Sequence, residues 1–152
     1  MLTDHLCAIS WRARPRSFVG LMTLYESNFI RLGWIAPDVR SLPGRSVSTV
    51  EGDCPLELVV LERARFTTTL SISYLFEESG ETLREPELEV RVYHDARLAE
   101  ASGIAGAARH AALRRLREAL PAADGRWRDN MLLNKWLEYC AERGHRFAPD
   151  AT

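Results

Sequence analysis

The chain of 152 residues is 46% apolar and 27% charged, enough for one buried core and far from the composition of a disordered chain. Its formal net charge of −1 provides no whole-protein field for nucleic acid or an anionic membrane surface, so neither is an expected partner. No stretch reaches the ~18 apolar residues of a transmembrane helix, and the odd, scattered cysteines Cys7, Cys54 and Cys140 argue for a reducing, cytoplasmic setting.

Residues 1–16 show no sustained period and read as a loosely held arm, with Arg12, Arg14 and Arg16 interrupting any secretory core. Residues 17–147 read as one α+β domain and residues 148–152 as a tail. From Ser17, a plausible N-cap, Phe18, Leu21, Met22, Tyr25, Phe29 and Leu32 recur at helical spacing, and Pro37 stops that helix near Ala36. A loop over 38–46 leads to a weak strand at Ser46–Glu51, a turn at Gly52–Pro55 and an apolar strand over Leu56–Arg65. Thr67–Glu77 alternates, with Leu70, Ile72, Tyr74 and Phe76 on one side, as a half-buried antiparallel strand does. Ser79-Gly80 marks a hairpin-like connection. In Glu87–Asp95, Leu88, Val90, Val92 and His94 share one phase, and a short strand follows over Arg97–Ala101 until Gly103 and Gly106 break the pattern.

Residues 107–120 suggest a helix with Arg109, Arg114, Arg115 and Arg117 on its wet side, ended by Pro121. Asp124 or Asp129 could cap a last helix carrying Leu132, Leu133, Trp136, Leu137 and Cys140 on one face, with Gly144 suited to the left-handed position after its end. The order predicts a mainly antiparallel sheet of about four to six strands, with an N-terminal and a C-terminal helix packed on it.

Four stretches, Met22–Leu32 (MTLYESNFIRL), Glu62–Thr68 (ERARFTT), Val90–Glu100 (VRVYHDARLAE) and Trp136–Cys140 (WLEYC) with Gly144, occur in an order that resembles the YqiB-like family of bacterial proteins, a domain of unknown function. The resemblance spans about residues 20–145, and its most specific part is Tyr93-His94-Asp95-Ala96. It implies a small cytosolic bacterial protein and brings no activity with it. Gly125 and Arg126 depart from the family pattern, as do residues 107–122.

The sharpest chemical feature is Tyr93-His94-Asp95, since an imidazole beside a carboxylate can do acid–base work. Neighbouring strand residues point to opposite faces, however, so the simpler reading is a histidine satisfied by a structural partner. The four histidines and three cysteines show no metal-ligand spacing, and neither a metal nor another cofactor is expected. Cys140 on the apolar stripe reads as core, and neither a phosphate loop nor a nucleophile motif occurs. The arginine face of 109–117 reads as a solvated helix side before it reads as an RNA surface.

What survives is a polar set that matches the resemblance and could converge on a groove: Glu26, Asn28, Glu62, Arg65, Thr67, Thr68, Arg91, Glu100 and Asn130 with His94 and its neighbours. Ligand contacts are expected from Arg65, Thr67, Arg91, Glu100, Glu26, Asn28 and Asn130. The leading expectation is a binding or regulatory module for a protein or a small polar ligand. The alternative is a small hydrolase or isomerase with His94 as acid–base and Arg65 or Arg91 as anion anchor.

Overall fold

Two alternating segments with aligned apolar rows demand a sheet that is dry on one side, and the computed structural model supplies it. It describes residues 18–106, 109–120 and 125–148. Within them the order is α1 (Phe18–Ile35), a 3₁₀ turn (Val39–Ser41), β1 (Arg45–Ser48), β2 (Leu56–Arg63), β3 (Thr67–Glu78), β4 (Glu81–Arg84), β5 (Glu87–Tyr93), β6 (Leu98–Ala105), α2 (Ala111–Ala119) and α3 (Gly125–Glu142). The fold is α+β.

All strand pairs are antiparallel, in the order β1-β2-β3-β5-β6. Leu58 lies opposite Ile72, Ile72 opposite Leu88, and Leu70 opposite Val90, so the apolar rows form one continuous face. Those side chains are fully buried. The Ser79-Gly80 connection does more than link strands: both residues have positive φ (54° and 80°), and β4 folds back to pair with the far end of β3. The chain then steps from β4 into β5 across a cis Glu85–Pro86 peptide.

Helices α1 and α3 cover the dry face, α1 contributing Leu24, Leu32 and Ile35, and α3 contributing Leu132, Leu133, Trp136, Leu137 and Cys140. Gly144, at φ 93°, ends α3: its N–H donates to the Ala141 carbonyl and the His145 N–H reaches back to Cys140. This is the Schellman pattern that a glycine beyond the helix end permits. It aims the last segment back at α1, where the Phe147 N–H donates to the Ile35 carbonyl at 2.6 Å.

Several boundaries differ from the sequence expectation. The weak strand is Arg45–Ser48 and its successor stops at Arg63. β6 continues past Gly103 because Ser102 is accommodated as a bulge: Glu89 pairs with Gly103 and Val90 with Ala101. Asp129 lies inside α3 rather than capping it. Ser17, Pro121 and Asp124, the expected arm over 1–16 and all but the first residue of the expected tail lie outside the described residues. Among the described residues no helix is long and apolar enough to cross a membrane.

Candidate functional site

β5 ends at Tyr93, so His94 stands just beyond the strand. Its backbone N–H donates to the Phe66 carbonyl at 2.9 Å, which ties the β5–β6 turn to the β2–β3 turn. Its ring Nε2 lies 2.8 Å from Oγ1 of Thr68, a buried residue on the inward row of β3 opposite Val92. Burial, then the positive charge of Arg40, lowers the imidazole below its ordinary range, with Asp95 acting against them. The site therefore presents a neutral ring at pH 7.

This ring is among the lining of two hollows. One, of about 530 Å³, has Phe29, Leu32, Val39 and Val92 among its walls, and both Arg40 and Arg97 line it. The other, of about 180 Å³, is lined by Arg40, Arg63, Ala64, Arg65, Thr68 and His94. The three arginines come from the 3₁₀ turn, the end of β2 and the β2–β3 turn, so chain reversals at one end of the sheet assemble the basic hollow. Arg63 is fixed by donating to the carbonyls of Val39 and Leu42. Arg65 lies 5.1 Å from the centre of the Phe66 ring, within cation–π range. Arg40 faces the exposed Asp95 at a long 3.8 Å. Arg97 holds a left-handed φ of 58°, uncommon for a residue other than glycine or asparagine.

The expected polar set does not converge as one group. His94 and Arg65 share the cleft, with Asp95 at its rim. Arg91, Tyr93 and Glu100 belong to the opposite phase of the sheet, where Arg91 pairs in register with Glu100 and the Tyr93 hydroxyl donates to Glu100 at 2.6 Å. Thr67 lies across from Tyr93 in the same row. Burial, then the Glu100 hydrogen bond, pushes the Tyr93 phenol up, so it stays a neutral donor. Asn28 and Asn130 are fully buried between the helices. Asn130 Oδ1 accepts from the Ala101 N–H and from Asn28, while Asn28 Oδ1 accepts from Asn134. These amides hold α1, α3 and β6 together. Glu26 is exposed on α1, and Arg109 is occupied by Glu85 and Glu78.

A second polar centre was not anticipated from the sequence. The Asp53 carboxylate, its side chain 1% exposed, accepts from His110 Nε2 at 2.6 Å, His145 Nε2 at 2.9 Å and the Tyr74 hydroxyl at 3.1 Å. Burial pushes this carboxyl up, but the hydrogen bonds from His110 and then His145 outweigh it and hold it below the ordinary carboxylate range. His110 caps α2, its Nδ1 accepting from the Ala112 N–H, which leaves the proton on Nε2. Tyr74 stacks on that ring at 4.4 Å.

Cys54 adds a third possible metal-ligand atom beside Asp53 and His110, all within 4.8 Å of one another. The protonated Nε2 has no lone pair to give a metal, and burial, then Asp53, raises the Cys54 thiol. Ser48, His145 and Asp53 also form a hydroxyl–imidazole–carboxylate chain, with Ser48 Oγ 3.0 Å from Nδ1. Ser48 is buried and its oxygen already accepts from the Arg146 N–H, so the chain links backbone segments rather than exposing a nucleophile.

A family model described as "Protein of unknown function (DUF1249)" matches residues 31–146. The chain is 29% identical over 136 residues to the uncharacterized protein YqiB of Escherichia coli strain K12, covering 87% of this chain and 94% of that one. The YqiB proteins of the O157:H7 and O6:H1 strains match to the same extent. No solved structure matches the chain. The chain belongs to the DUF1249 family.

Proposed function

We propose that this DUF1249 protein is a binding module for a small polar anion, held in the cleft beside His94. The observation that carries this reading is the convergence of Arg40, Arg63 and Arg65 on one hollow that also contains Thr68 and His94. Guanidinium groups gathered in a concavity favour a ligand with several acceptor oxygens. A small ligand suits the concave shape better than a protein surface does. The alternative, a hydrolase or isomerase using His94, calls for an imidazole oriented by a carboxylate. His94 bonds to the Thr68 hydroxyl and Asp95 faces Arg40, which favours binding over turnover.

Calorimetric titration with inorganic phosphate tests the reading. Removing the exposed Arg65 guanidinium (Arg65→Ala) is expected to weaken phosphate binding about tenfold, the scale of one charge-assisted hydrogen bond, with little change in thermal stability. Undetectable phosphate binding by the wild type, or equal affinity in the variant, would remove the basis for the proposal.

A further inference from the structure

Resting on that anion-binding reading, we infer that the cleft is bipartite and takes a phosphate monoester with a ring-sized apolar body, its phosphate in the smaller hollow and its body in the larger. The two hollows share only Arg40 and His94 among their lining residues, so one ligand passing His94 can occupy both. Their chemistry differs. The smaller is lined by three arginines and no acid. The larger sets Asp38 and Asp95 against Arg40 and Arg97, so it offers no net attraction to an anion, and Phe29, Leu32, Val39 and Val92 give it an apolar part. Charge therefore orients the ligand, with its anionic end toward Arg63 and Arg65. A doubly charged tetrahedral group can use three guanidinium donors, whereas a carboxylate is satisfied by one fork.

Size agrees with this division. About 180 Å³ has room for a phosphate group, while about 530 Å³ falls within the range of small-molecule sites and has room for the larger body.

Gly33 supplies a second, independent observation. It lies in the last turns of α1 and lines the larger hollow. A Cβ built there would meet nothing within 4 Å. No φ in the left-handed range requires glycine at this position, and glycine is disfavoured inside a helix. Its effect is to leave that wall of the hollow open beside Phe29, whose ring offers a face for an apolar body.

The test compares inorganic phosphate, phenyl phosphate and benzoate as titrants of the full chain. Phenyl phosphate is expected to bind roughly tenfold more tightly than inorganic phosphate, from burial of the ring, and benzoate more weakly than phenyl phosphate. Filling the larger hollow with Gly33→Phe should abolish the gain from the phenyl group while leaving inorganic phosphate binding unchanged; Gly33→Ala, with unaltered or higher thermal stability, controls for folding. Equal affinity of the wild type for phosphate and phenyl phosphate would overturn the bipartite site while sparing the anion-binding reading. A phenyl gain that survives Gly33→Phe would do the same, and benzoate binding as tightly as phenyl phosphate would overturn the choice of phosphate. Failure of both phosphates to bind would take down both readings together.

Discussion

The Asp53 centre and the His94 cleft use similar residues to opposite ends. At Asp53, one buried carboxylate accepts from two imidazoles and a phenol that arrive from the start of α2, the segment after α3 and β3. Around His94, arginines gather in a hollow with one long ion pair to Asp95 and two backbone carbonyls among their partners. A polar group whose partners all come from its own fold is spent on holding segments together. On the proposed reading, positive groups drawn together around a hollow retain capacity for something outside the chain. The more enzyme-like constellation, Ser48–His145–Asp53, is thus the structural one.

The largest expected effect separates the two regions by stability. Asp53→Asn removes the negative charge that its donors share, and should destabilise the protein by about 3 kcal/mol, read as a shifted urea midpoint with an unchanged slope. A loss below about 0.5 kcal/mol, the level of an ordinary surface change, would mean that the centre does not hold the fold. Acid sharpens the same contrast. Because Asp53 is held below the ordinary carboxylate range, the unfolded chain takes up its proton first on acidification. Its contribution is complete above the unfolded value of about 3.9 and is lost as pH falls through the folded one. The stability gap between wild type and Asp53→Asn should accordingly narrow as the pH falls below about 4; a gap that stayed constant would assign the effect to packing instead of charge.

In the cleft, the expected signs reverse. Arg97→Gly relieves a left-handed backbone and should stabilise the protein by up to about 1 kcal/mol while leaving phosphate affinity equal or weaker. A destabilised variant would show that the Arg97 side chain is structural after all. The smallest effect is spectroscopic. The His94 imidazole should titrate below about 6.5 in the free protein and move upward when phosphate is added, because an anion favours the protonated ring. An NMR titration that phosphate leaves unmoved would place the anion elsewhere.

Much of the scaffold was legible because it depends on near neighbours in sequence. The period of Leu70, Ile72 and Tyr74 and that of Leu88, Val90 and Val92 announced the sheet, and Gly144 announced the end of α3. Family membership followed from the same local stretches. Of the residues singled out in the sequence, His94 and Arg65 line the candidate cleft, whereas Arg40, Arg63 and Arg97, which also line it, were not singled out. Two expectations were displaced by burial. Asn28 and Asn130 matched the pattern but satisfy buried backbone and each other between the helices. Arg91, Tyr93 and Glu100 pair across β5 and β6 in the other phase.

By itself, then, the sequence determined an α+β chain of helix, antiparallel strands and helix, and singled out Tyr93-His94-Asp95 as its most distinctive stretch. Only the tertiary structure decided that Asp95 would face Arg40, that Thr68 would satisfy His94, and that Asp53 would collect two histidines 57 and 92 residues away. The physical reason is range. Periodicity and capping act over a few residues and are written locally, whereas the partner of a polar side chain is chosen by which distant segments the buried apolar face brings together.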